Sequence, residues 1–159
     1  MTPTLASTLW PAQSGGSRAA RNVLLALVGT LALTVSAKTQ IPFWPVPMTM
    51  QTFVVLVIGM AYGARLGVAT IALYLLEGAR GLPVCAGAPE KGVGLAYMMG
   101  PTGGYLLGFV AGAWLCGWLA ERGFDRSPLR TLVAMSLGHA LIFVHGYNTR
   151  FEEAVFRLA

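Results

Sequence analysis

In a chain dominated by aliphatic residues and glycine, few side chains can do directed chemistry, and they fall in three short stretches. "PVPMTMQTF" supplies Thr49 and Gln51, "LYLLEGARGLPV" supplies Tyr74, and "MMGPTGGYLLGF" supplies Gly100, Thr102, Gly103 and Tyr105. Two threonine hydroxyls, an amide and two phenols are hydrogen-bonding groups without a neighbouring base to activate them, so recognition is their natural chemistry. An apolar wall with a few such groups is the usual lining of a small-molecule site. Gly100, Pro101, Gly103 and Gly104 break the helix before Tyr105, and irregular backbone at membrane depth survives only when buried in protein or lining a cavity. The same residues serve equally well as a glycine-shaped turn whose polar side chains bond only one another.

The elements that must position these groups are membrane helices. Of 159 residues 55% are hydrophobic and 11% charged, against roughly 25% charged in a soluble domain, which leaves too little polar surface to wet a globule. Apolar segments at 22–37, 48–62, 66–76, 104–119 and 129–144 predict an all-α, polytopic membrane helical bundle of about five transmembrane helices. Several are shorter than the roughly 20 residues of a perpendicular span, which a small bundle tolerates by locally thinning the bilayer. Pro42, Pro45 and Pro47 forbid a helix between the first two segments. No segment alternates with period two, which argues against a barrel.

Residues 1–20 read as a flexible cytoplasmic tail, polar and aperiodic as far as Ser17. Arg18 and Arg21 ahead of "NVLLALVGTLALTVSAK" also have the pattern of an export signal, but the four apolar segments that follow favour a retained first helix. With the N-terminus cytoplasmic, Arg18, Arg21, Arg65, Arg122, Arg126 and Arg130 lie inside while Lys38, Arg80 and Lys91 lie outside. That asymmetry accounts for the net charge of +5 better than nucleic-acid binding, since the basic residues form no patch interleaved with aromatics.

Gly104, Gly108 and Gly112, then Ala113 and Gly117, make a flat ridge expected to pack against a neighbouring helix of the same chain. Ala26, Thr30, Ala32 and Ser36 give the first helix a weaker small face, open to a partner membrane protein. Trp44, Trp114 and Trp118 read as interfacial anchors. His139, in mid-span, is expected to face the bundle interior and a hydrogen-bond partner rather than a metal. Cys85 and Cys116 read as small apolar fillers. No metal site, no cofactor motif and no nucleotide-binding phosphate loop is found, so any energy from ATP must come from partners.

"QIPFWPVPMTMQT", "ALYLLEGARGLPVCAG" and "GPTGGYLLGF", in this order, resemble the BioY family, the biotin-binding S components of energy-coupling-factor transporters, over about residues 21–144. The resemblance implies a multi-pass protein of the bacterial inner membrane that captures biotin from outside. It also implies association with a transmembrane coupling subunit and an ATPase pair, which makes the small face of the first helix a docking surface. The residue chemistry itself, apart from the family, would let Gln51 and Thr102 pair with the ureido edge of biotin and Tyr74 and Tyr105 pack its ring system, while Arg80 or Lys91 either meets the carboxylate or is a solvated loop charge. The family is also expected to carry a sixth helix with a Pro-Gly-Asp segment and a lysine near its start, which this sequence lacks, so impaired capture is expected if that helix closes the pocket.

Residues 145–159 are expected to be an unrelated amphipathic tail, a fusion or truncation seam. Thr149 and Glu152 have capping-box spacing, and Phe151, Ala154, Val155 and Leu158 follow one helical face. With "ALIFV" read as a strand and "HGYN" as a turn, residues 141–159 resemble a strand-loop-helix fragment of an α/β-hydrolase family. A hydrolase would need a nucleophilic serine or cysteine beside a positioned base, and none is found; a non-transporting membrane scaffold is the other alternative.

Overall fold

The computed structural model describes residues 3–11, 15–41, 48–85, 94, 98 and 103–158. In chain order the elements are α1 (Leu5–Leu9), α2 (Gly15–Lys38), β1 (Gln40–Ile41), β2 (Met48–Thr49), α3 (Gln51–Ala79), α4 (Gly103–Ala120), a 3-10 turn (Phe124–Arg126) and α5 (Pro128–Leu158). The fold is all-α, as the apolar segments predict. Four of the helices are long and apolar enough to cross a membrane.

The second and third predicted segments are two limbs of α3, which folds back on itself at Gly63. That residue has φ 83°, outside the helical region and accessible at little cost only to glycine. Two contacts establish the reversal. A Cβ placed on Gly67 would lie 3.3 Å from the Cα of Gly59, and Gln51 Nε2 donates to Tyr74 Oη across 23 positions at 2.9 Å. Counting limbs, the expected five apolar segments are all present. The new N-terminus at Ala64 is capped from α4's end: its N–H donates to Glu121 Oε1 at 3.0 Å, relieving a donor that has no partner within its own helix.

The limbs of α3 lie between α2 and α4, and α5 lies along the far side of α4. Where helices meet, glycine lets backbones approach. A Cβ on Gly59 would sit 2.6 Å from the Ala113 carbonyl oxygen, one on Gly108 3.1 Å from the Ile142 Cα, and one on Gly117 inside the backbone of Ala64. The α4 ridge is therefore used within the chain, Gly108 and Gly112 toward α5 and Ala113 and Gly117 toward α3. In hydrocarbon such close packing supplies much of the helix association, because lipid gives no hydrophobic drive between helices. Leu33, Val55, Ile71, Tyr74, Ala113 and Cys116 fill the centre, fully buried. Outward, α2 shows Val23, Leu24, Leu27, Val28, Leu31 and Val35, and α5 shows Leu132, Val133, Leu137, Leu141 and Val144. Apolar faces of that extent suit hydrocarbon, not water.

Several expectations are revised. The second helix begins at Gln51 instead of residue 48, because Met48 and Thr49 pair antiparallel with Ile41 and Gln40. The first helix begins upstream, at Gly15, and Leu5–Leu9 form a short helix against α3, so part of the N-terminal stretch is helical. His139 lies on an exposed face of α5 and not in the interior. The strand and turn expected near 141–148 are absent, since α5 runs unbroken through them and makes Thr149 an interior helical residue rather than a cap. At Gly146 the helix is pressed against α4: a Cβ there would overlap the ring of Tyr105.

Candidate functional site

Chain direction sorts the loops into two ends. One gathers the start of α2, the reversal at Gly63, the end of α4 and the start of α5, and it carries Arg18, Arg21, Arg65, Arg122, Arg126 and Arg130. The opposite end carries the β1–β2 pair, the loop after α3 and the start of α4, with Lys38 and Arg80.

At this second end sits a buried polar relay. Gln51 opens the first limb of α3 and is 5% exposed; Tyr74 lies high on the second limb and is 0% exposed. Tyr74 Oη donates its single proton to the Val84 carbonyl at 2.9 Å, and so accepts from Gln51 Nε2. This fixes which way the amide faces. Among the described residues, one N–H and the Oε1 of Gln51 remain uncommitted, one donor and one acceptor side by side, which matches an amide or ureide edge.

The other buried hydroxyls behave differently. Thr30 donates to Leu27, Ser36 to Leu33 and Thr70 to Leu66, each a backbone carbonyl of its own helix, so they are packing groups. Gln51 is the buried polar residue that reaches between limbs.

The loop after α3 is clasped from α2. Lys38 Nζ donates to the Cys85 carbonyl at 3.2 Å, tying the end of α2 to the segment whose Val84 carbonyl anchors Tyr74. Burial pushes the Cys85 thiol above its ordinary value, opposed in part by the neighbouring Tyr74 side chain and the Lys38 charge. Sequence reasoning missed Lys38 as a site residue. Its signal is its position as the basic residue in α2's last turn, which reads equally as a solvated charge.

The predicted site residues fare unevenly. Gln51 and Tyr74 are brought into contact, and Thr49 is half-buried in β2 two positions before Gln51. Tyr105 is half-buried in the first turn of α4 with its ring against Gly146, and Gly103 closely approaches the Met98 carbonyl. Arg80 is exposed just beyond α3. Gly100, Thr102 and Lys91 lie outside the described residues. Of the docking residues expected on the first helix, Ala26, Thr30 and Ser36 are turned into the bundle and only Ala32 is exposed. The reason is steric: Gly29, between them, lies against Thr70, Tyr62 and Ile58 of α3, so the small face is already used.

Comparison with known proteins bears directly on this arrangement. The BioY family model matches residues 6–151. A relative in Thermotoga maritima, "Biotin transporter BioY", is 43% identical over 102 residues, 64% of this chain and 59% of its own length. Another in Pyrococcus horikoshii, "Probable biotin transporter BioY", is 32% identical over 128 residues, 80% of this chain and 73% of its own. The crystal structure of the S-component for biotin from an ECF-type ABC transporter superposes with a TM-score of 0.75 at 21% identity, covering 90% of this chain and 77% of that one, which shows a common fold. The match begins before residue 21 and continues past 145, into the segment expected to be an unrelated tail. With this match over most of its length and apolar helices able to cross a bilayer, the chain is a multi-pass membrane protein and belongs to the BioY family.

Proposed function

We propose that this chain captures biotin in the membrane as the substrate-binding component of an energy-coupling-factor transporter, with a coupling subunit and an ATPase pair as partners. The carrying observation is the Gln51–Tyr74–Val84 relay, a buried and oriented amide at the end of the bundle opposite the arginines. By the positive-inside tendency the arginine end is cytoplasmic, which puts the N-terminus inside and the relay toward the outside, where a nutrient arrives. Biotin's ureido group offers N–H donors beside a carbonyl, the complement of what Gln51 presents. Its apolar thioether ring suits the phenolic side chains of Tyr74 and Tyr105, and its carboxylate is assigned to Arg80 or Lys91, the cations nearest these residues in sequence. Thr49, Gly100, Thr102 and Gly103 complete the proposed lining.

The chemistry is binding and passage, with no enzymatic step assigned to the chain. The coupling subunit is proposed to meet α2 on its outward side, at Ala32 and the flanking exposed leucines Leu27 and Leu31, since Ala26, Thr30 and Ser36 face inward. Biotin titration of the detergent-solubilised chain, beside Gln51→Ala and Thr102→Ala, tests the site. Saturable binding weakened at least tenfold by each variant is expected. Wild-type affinity in both variants refutes the ureido assignment, and absence of binding by the wild-type chain refutes the function.

A further inference from the structure

A ladder at the end of α4 takes no part in the relay described above. The rings of Trp114 and Trp118 stack with centroids 6.1 Å apart and planes 21° from parallel, and the guanidinium carbon of Arg122 lies 3.3 Å from the Trp118 ring centroid. Trp114 is 51% exposed and Arg122 is exposed, so the ladder runs along the outer surface of α4 to its end. Arg126, on the connection to α5, and Arg130, in the first turn of α5, are also exposed. Of the acidic residues there, Glu121 accepts from the Ala64 N–H, and Asp125 is half-buried with its Oδ1 inside.

We propose that Arg122, with Arg126 and Arg130 beside it in sequence, forms a headgroup site for an anionic phospholipid, whose acyl boundary lies along Trp118 and Trp114. Stacking on an indole holds the guanidinium plane in place while leaving N–H groups to pair with a phosphate in two-point fashion. Indole rings sit at the level where headgroup meets acyl chain, which is the depth this ladder reaches in the helix. Three exposed arginines between the end of α4 and the first turn of α5 favour a lipid with net negative charge over a zwitterion, in which an ammonium cancels the phosphate. The charge complementarity selects lipid among possible occupants because Trp114 faces outward from a membrane-spanning helix and the half-buried Trp118 fixes Arg122 beside it.

Thermal unfolding of the purified full chain in neutral detergent, with phosphatidylglycerol or phosphatidylcholine added at equal mole fraction, tests the proposal. Phosphatidylglycerol is expected to raise Tm by about 3 °C more than phosphatidylcholine, the size of shift a modest binding energy gives a chain of this length. The difference should shrink in high salt, vanish in Arg122→Gln and survive in part in Arg122→Lys, which keeps the charge without the planar stack. Arg122 is exposed, so equal Tm of variant and wild type in phosphatidylcholine alone separates loss of lipid preference from loss of fold. Equal response to the two lipids in the wild type overturns the proposal and leaves this corner to a protein partner. Full preference retained in Arg122→Gln overturns it as well.

Discussion

Changing Tyr74 to Phe deletes one oxygen from a fully buried side chain and keeps its ring, so it isolates the relay from packing. That oxygen donates to Val84 and accepts from Gln51, each at 2.9 Å. In the variant the half-buried Val84 carbonyl can turn to water, but the Gln51 N–H is left without its acceptor at a position 5% exposed. A net hydrogen bond of about 1 kcal/mol, plus about 1 to 2 kcal/mol for a buried donor left unpaired, totals about 2 to 3 kcal/mol. Part of this appears as lost stability, and part as lost orientation of the Gln51 amide. If half reaches binding, biotin affinity falls about tenfold, since about 1.4 kcal/mol is a decade. Calorimetric titration with biotin, paired with thermal unfolding of the same samples, reads both parts. Combining Tyr74→Phe with Gln51→Ala then gives a double-mutant cycle, and strong coupling is expected because the two act through one bond. Wild-type Tm and affinity in Tyr74→Phe, or strictly additive effects in the cycle, refute the relay.

Other perturbations probe the frame around it. Gly117→Ala pushes a methyl into the backbone of Ala64 and should cost about 1 to 3 kcal/mol, read as a lower Tm; an unchanged Tm contradicts the close α3–α4 approach. Glu121→Ala removes the cap from the second limb of α3 and should cost about 1 kcal/mol, while Glu121→Gln, which keeps an acceptor, recovers most of it; equal loss in both variants argues against the cap. Because burial raises the Cys85 thiol, the neutral form is favoured in the folded state. Its contribution to stability is therefore present at neutral pH and is lost as pH rises through the folded value. Maleimide labelling of Cys85, in a Cys116→Ala background, should accordingly be slow at neutral pH and still accelerating above the range of a free thiol. A plateau at ordinary thiol pH refutes the buried environment.

Much of the architecture was legible without coordinates, because membrane insertion depends on local composition: each apolar segment must satisfy its own backbone in hydrocarbon, whatever its neighbours do. The sequence by itself therefore determined the all-α class, the apolar segments, the arginine asymmetry and the glycine ridge of α4 as a packing surface. The motifs around Gln51, Tyr74 and Tyr105 carried the family resemblance for the same reason, being contiguous stretches. What it left undecided are relations between distant positions. Whether Gly63 bends or reverses α3 depends on Glu121 and Gly117 arriving to cap and pack the turn. Which side of α2 is small enough to be buried depended on α3, so Ala26, Thr30 and Ser36 went inward while a lone-helix reading left them open. His139 went outward because α5 turns Ile142, Gly138 and Gly146 toward α4, a choice of face that depends on α4 being there. The pairing of Gln51 with Tyr74 is the clearest case: both residue types were visible as candidates, but a donor and an acceptor 23 positions apart become one group only when the chain reverses between them.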